Sequence, residues 1–241
     1  GQPLFSVVAF FRIAYSEVSP AKFQFGKVDS SFFFAHVHPT PGIPLYRRKR
    51  KEARKVKKQI LFIHSAGPQG ETQGSGRLIR YLEKELDGDF ELRHPAMPAP
   101  EHPVYENWKR QIKEGFTDFR EDSILIGHSL GGSALLKLLS EEKMEPRISA
   151  LLLIASPVWG MNTDWGKEDF QLASGFSSKL PESLDISLFY SAHDDVVPFE
   201  HGAKYAELLP SARLRQIPGN SHLFENGLPE LVEEIKRIKL K

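Results

Sequence analysis

Residues 124–132, ILIGHSLGG, decide the fold of this chain. Three apolar residues lead into glycine, one residue, serine, one residue and glycine, the spacing of a nucleophile elbow in which a strand turns sharply into a helix. Gly127 and Gly131 have a steric reason to be there, because a Cβ at either place in so tight a turn would strike the neighbouring backbone. Ser129 then stands alone at the tip. Ser133, Ala134, Leu135, Leu136, Leu138 and Leu139 continue as a helix. The amide of Leu130 therefore lies at a helix N-terminus, where it can donate to a developing oxyanion. A serine between glycines is also an ordinary turn, so the motif must be judged by its surroundings.

Those surroundings alternate regularly. Apolar runs predict strands at residues 60–63, 90–93, 124–126, 148–155, 186–190 and 214–217. Between them, helical spacing places Leu78, Ile79, Leu82 and Leu86 on one helix ended by Gly88, and Trp108 and Ile112 on another ended by Gly115. Further helices are expected at residues 133–143, 203–209 and 228–240. The run ISALLLIA at 148–155 is apolar on both faces, as a strand covered from both sides must be. This alternation implies an α/β fold with a mainly parallel sheet and helices on both faces. In such folds sites gather at the carboxyl ends of strands.

A serine hydroxyl is a poor nucleophile at neutral pH and needs a base, usually a histidine held in one tautomer by a carboxylate. In elbow folds the chain order is serine, acid, histidine. Downstream of Ser129, SAHDDVVP follows the strand ending at Tyr190, and PGNSHLF follows the strand ending at Ile217. The base candidate is His222. For the acid, an aspartate four residues before the proline of a Val-Pro pair is the register common in esterase-like sequences, which selects Asp194 over Asp195. His193 and His201 lie off the expected register and are read as structural. The second oxyanion donor belongs in the loop after the first core strand, HSAGPQG at 64–70, where the amide of Ala66 is the candidate. Gly70, Gly74 and Gly76 are followed by no Gly-Lys-Ser/Thr, so a phosphate loop is rejected, and a dinucleotide fingerprint is absent.

At 241 residues the chain suits one substantial core. It has no cysteine, which excludes disulfides, thiolate metal sites and a cysteine nucleophile and fits a reducing, cytoplasmic setting. The net charge of +1 hides an asymmetry, because RRKRKEARKVKK at 47–58 holds nine basic residues and one acidic residue. The remainder, 23 basic against 30 acidic, has no general attraction to nucleic acid. The basic run reads as a solvated linker, and the apolar stretch at 4–11 is too short for a membrane span and lacks the form of a signal peptide. Residues 1–57 hold eight of the seventeen phenylalanines and stay outside the alternation. They are expected to form an extension, with a possible edge hairpin from 23–28 and 32–37, ahead of a catalytic domain at 58–241. His36 and His38 lack a third ligand, so no metal or cofactor is expected.

Taken together, LFIHSAGPQG, ILIGHSLGGS, LLLIASPVW, FYSAHDDVVPF and IPGNSHLF resemble the α/β-hydrolase superfamily, over residues 58–240. Within it the chain is similar to the small serine hydrolases related to retinoblastoma-binding protein 9. The resemblance implies a Ser129–His222–Asp194 triad, an oxyanion hole at Ala66 and Leu130, and cleavage of an ester or related acyl bond of a small substrate. Ser65 departs from the glycine usual after the histidine in larger hydrolases, which bears on the shape of the oxyanion loop. Some thirty residues between the fourth and fifth strands allow only a short lid. Its aromatics, with Met97, Trp159, Met161 and Trp165 as candidates, either wall an apolar acyl pocket or pack the lid to the core. Acyltransferase, thioesterase and peptidase activities would use the same triad, and a non-catalytic binding or scaffold module is the rival from outside enzymology. Oligomeric state is not legible.

Overall fold

The computed structural model describes residues 57–119, 122–145, 147–162, 168–219 and 221–239. The expected edge hairpin, most of the basic run, His36, His38 and Trp165 lie outside the described residues.

Six strands form one sheet: β1 (Lys58–Ile63), β2 (Phe90–Arg93), β3 (Ser123–His128), β4 (Ile148–Ile154), β5 (Asp185–Ser191) and β6 (Arg213–Ile217). Their order is β2-β1-β3-β4-β5-β6 and every pairing is parallel. The helices are α1 (Gly76–Glu85), α2 (Tyr105–Gly115), α3 (Leu130–Glu141), α4 (Phe199–Leu208) and α5 (Pro229–Arg237). The chain steps outward from β1 to β2 and then returns past β1 to β3. That reversal opens a crevice at the carboxyl ends of β1 and β3, where α/β sheets bind ligands. The register sets Ile63 beside Gly127 and His128 beside Ile154, so the elbow sits between the ends of β1 and β4.

Strand residues alternate between two apolar layers, because successive side chains point to opposite faces. Leu61, Ile63, Leu125, Leu151, Leu153, Leu188 and Tyr190 join a core with α2, α3 and α4. Ile60, Phe62, Ile124, Ile126, Leu152, Ile154 and Phe189 join another with α1 and α5. The central strands β1, β3, β4 and β5 read as near-continuous apolar runs because both faces are covered, whereas the edge strands β2 (FELR) and β6 (RLRQI) keep polar residues and are half-buried. At the amino ends of the strands, the buried carboxylate of Glu234 on α5 receives Arg213 and Arg237 on Oε1 and Arg215 on Oε2, at 2.6–2.8 Å, and ties α5 to β6.

The helix expected to begin at Ser133 begins at Leu130. Gly131 and Gly132 bear no side chains to extend the apolar pattern, yet the elbow requires helical backbone immediately after Ser129. The fourth strand stops at Ile154, one residue early, and Ala155 turns away with φ of 45°. In the lid, two short 3-10 turns occur at Glu168–Phe170 and Phe176–Lys179. Phe170 packs edge-on against Tyr105 and Trp108, and Phe176 is buried in the same core. These two aromatics fasten the lid to the core.

The glycines of the elbow are dictated by contact. A Cβ on Gly131 would collide with the carbonyl oxygens of Ile63 and His64, and one on Gly132 with the Ser156 hydroxyl. One on Gly127 would meet the backbone of Gly132 at 2.5 Å. The outcome expected for Gly131→Ala is a loss of about 2–4 kcal/mol in urea unfolding, as for overpacking against backbone that cannot yield. Gly88, with open space around its would-be Cβ, is the control: Gly88→Ala should stay within about 0.5 kcal/mol of the parent.

Candidate active site

Ser129 occupies the turn between β3 and α3 with φ 52° and ψ −120°, a conformation costly for a residue with a Cβ. It is held there from both sides. Its amide donates to the Ile154 carbonyl at 2.8 Å, and its carbonyl accepts the Gly132 amide at 3.0 Å. Ser129 remains partly exposed while His128 before it and Leu130 after it are buried. Because α3 starts at Leu130, its first amides have no acceptor four residues back within the helix.

His222 follows β6 in a turn, with Gly219 at φ +105°. Its Nδ1 lies 2.9 Å from Asp194 Oδ2, and both side chains are buried. A carboxylate only accepts, so Nδ1 carries the proton and Nε2 keeps its lone pair. Asp194 Oδ1 accepts the amides of Val196 at 2.8 Å and Val197 at 2.9 Å, so the Val-Val-Pro segment fixes the carboxylate that orients the imidazole. Burial by itself would raise the Asp194 pKa. The His222 N–H and the two amides outweigh it and hold the carboxyl below the usual aspartate range. Neighbouring Asp195 is exposed and makes no such contact, as is His193. His201 is buried, and its Nδ1 accepts the Val158 amide at 3.0 Å.

The acid and base loops are stitched together by backbone. Ala192 N–H donates to the Ile217 carbonyl at 2.8 Å and His193 N–H to that of Gly219 at 3.0 Å. The Ser191 hydroxyl donates to the Ser221 carbonyl at 2.5 Å. Ala66 follows the buried pair His64 and Ser65 in the loop after β1, and the Gly67 amide is tied to the Pro100 carbonyl at 2.9 Å.

The pocket candidates separate. Met97 is buried in the α2–α3 side core, its amide donating to Gln69 Oε1 at 2.8 Å. Trp159 packs half-buried against that core, whereas Met161 is exposed at 39%.

Sequence reading passed over His128 and Ser75, both fully buried. A histidine inside an apolar strand was the available signal for the first; nothing in the sequence marks the second. It also missed the anchors of the loop after β4. Tyr190 donates to the Ser156 carbonyl at 2.6 Å, and Tyr205 and Ser133 donate to that of Pro157 at 2.9 and 3.1 Å. Among the described residues there is no group of three or more His, Cys, Asp or Glu placed to hold a metal. No helix among them is long and apolar enough to cross a membrane.

Known proteins resemble this chain in sequence and fold. The sequence model of the family described as serine hydrolase matches residues 78–235. YdeN of Bacillus subtilis (strain 168), a protein assigned as a hydrolase, is 24% identical over 176 residues, covering 72% of this chain and 90% of that protein. The crystal structure of the B. subtilis ydeN product superposes with a TM-score of 0.63 at 21% identity, over 75% of this chain and 97% of its own. Est1E from Butyrivibrio proteoclasticus gives 0.58 at 16% identity, over 77% and 88%. The meta-cleavage product hydrolase CumD from Pseudomonas fluorescens IP01 gives 0.57 at 13%, over 76% and 89%. At these identities the superpositions show the α/β-hydrolase fold.

Two buried histidines make stability depend on pH. Desolvation lowers His64 to about 4 and His128 to about 3, so each stays neutral in the folded protein where the unfolded chain would bind a proton. Their contribution is fully present above about pH 6.5, the value for a free histidine, and is lost progressively as pH falls toward those folded values. Unfolding free energy in urea should decline steadily from pH 7 to pH 4.5; a flat profile over that range would count against it.

Proposed function

Because the chain belongs to the serine hydrolase family, we propose that Ser129, His222 and Asp194 form a catalytic triad that cleaves an ester bond of a small acyl substrate. The observation that carries this reading is the 2.9 Å contact of His222 Nδ1 with Asp194 Oδ2. It leaves Nε2 as the free base, in a fold whose elbow presents a strained serine.

In this mechanism His222 Nε2 takes the Ser129 hydroxyl proton as Oγ attacks the acyl carbonyl carbon. The carbonyl π electrons move to oxygen, where the amides of Leu130 and Ala66 stabilise the oxyanion. Collapse of the tetrahedral intermediate breaks the bond to the alkoxy oxygen, and His222 gives the proton to the departing alcohol. Water then repeats the sequence on the acyl-serine: His222 takes its proton, hydroxide adds, and Ser129 leaves as the protonated hydroxyl with release of the carboxylic acid. Asp194 keeps its charge throughout and stabilises the imidazolium. We assign this domain to residues 58–241.

Substrate identity is not carried over from the relatives, whose names range from a meta-cleavage product hydrolase to a pyrethroid hydrolase. A short lid with Trp159 beside it favours small acyl groups, which a series of p-nitrophenyl esters of rising chain length would rank against thioesters and aminoacyl amides. A fluorophosphonate probe should label the protein but not Ser129→Ala, and equal labelling of both would sink the assignment. Asp194→Asn is expected to lower kcat by about 10³–10⁴-fold. Asp195→Asn should leave kcat within about 2-fold, since an exposed carboxylate away from the imidazole contributes little; reversed effects would transfer the role of acid to Asp195.

A further inference from the structure

One buried hydrogen-bond chain joins the three loops of the site. The Ser65 amide donates to Ser75 Oγ at 2.9 Å, Ser75 Oγ lies 2.8 Å from His128 Nδ1, and His128 Nε2 lies 2.9 Å from the backbone carbonyl of His222. Ser75 stands at the N-terminus of α1, His128 at the end of β3 and His222 after β6. Residues separated by 53 and 94 positions in sequence are thus linked through a single imidazole. The His128 and His222 rings lie 5.3 Å apart, tilted by 38°.

The direction of every proton in this chain is determined. A backbone carbonyl only accepts, so His128 Nε2 carries a proton. Burial, aided by repulsion from His222, keeps the ring neutral. Nδ1 therefore has a bare lone pair, and the single Ser75 proton must go to it. Ser75 Oγ can then only accept from the Ser65 amide, and the 3.3 Å contact with the Ser65 hydroxyl must be donated by Ser65. Neither Ser75 nor His128 has a second choice of partner, so the two side chains hold one geometry.

We propose that His128 is a positioning residue for hydrolysis, holding the His222 backbone through Nε2–H and the oxyanion loop at Ser65 through Ser75, so that base, elbow and Ala66 amide keep their spacing. This inference rests on the Ser129–His222–Asp194 reading. His128 touches no reacting atom. It acts through the next residue, Ser129, through the main chain of the base, and through the residue preceding Ala66. A positioning error of about 1 Å in a catalytic group can cost roughly 100-fold in rate.

The test compares His128→Phe, which keeps a planar ring without polar atoms, with His128→Gln, whose carboxamide can still donate to the His222 carbonyl and accept from Ser75. Turnover of p-nitrophenyl acetate is normalised to sites titrated by a fluorophosphonate, so that misfolded protein is not counted. For His128→Phe the expectation is a kcat lower by about 10- to 100-fold with KM within about 2-fold, and His128→Gln should recover most of it. A kcat per titrated site equal to wild type in His128→Phe overturns the proposal, and so does a glutamine variant no better than phenylalanine. If His128→Phe does not fold, Ser75→Ala decides: kcat should fall by about 3- to 10-fold at unchanged KM, and an unchanged kcat overturns it. A wild-type protein that takes no label sinks the hydrolase reading and this inference with it. A labelled wild type with undiminished turnover in the variants sinks this inference alone.

Discussion

The close approach of the elbow backbone to the end of β1 is the constraint on which the site depends. Gly131 lies against the Ile63 and His64 carbonyls, and Gly132 lies against Ser156. Backbone can come so near only where side chains are missing, and this nearness brings the N-terminus of α3 to the loop that bears Ala66. The same approach forces Ser129 into its unfavourable backbone conformation. The strain is held by the Ser129 amide bond to Ile154 and by the parallel ladders on both sides of β3.

Around that contact the protein spends polar groups sparingly and ties each to another loop. Asp194 uses one oxygen to fix its own turn and the other to orient His222. Tyr190 and Tyr205 reach from β5 and α4 to the chain leaving β4. All of these bonds but the part-buried one from Val196 are buried, where an unpaired partner costs about 1–3 kcal/mol. The loops at the carboxyl ends of the strands are consequently held to one another as well as to the sheet. Such fixed geometry matches a reaction that depends on placing a lone pair, a hydroxyl and two amides around one carbonyl.

At the opposite end of the sheet the polar grouping differs in kind. Glu234 is buried among three arginines that are themselves partly exposed. Its bonds connect α5 to β6 and take no part in the candidate site. Charge fastens a helix to the sheet at one end and orients the His222 ring at the other.

Much of this was legible in the sequence. Apolar runs marked the four central strands because both of their faces are covered, the edge strands β2 and β6 followed from their place in the alternation, and the glycine-serine spacing marked the elbow because only glycine fits its contacts. Asp194 and His222 could be nominated because each follows a strand, and chain order restricts which partners can reach Ser129. The start of α3 was missed because its first turn is built from glycines, which carry no pattern. The exposure of Met161 was not legible because an apolar residue in a lid has no periodicity to show which way it faces. The connections made by His128 and Ser75 were invisible for a deeper reason. They are hydrogen bonds to residues 53 and 94 positions away, and no local rule relates such positions. The sequence by itself determined the parallel sheet and the glycine-flanked turn that presents Ser129, since these follow from side-chain periodicity and steric exclusion. Only the tertiary structure decided that Asp194 and not Asp195 meets His222, and that a buried imidazole joins the His222 main chain to the loop after β1, because both depend on distances created when separate strand ends are brought together.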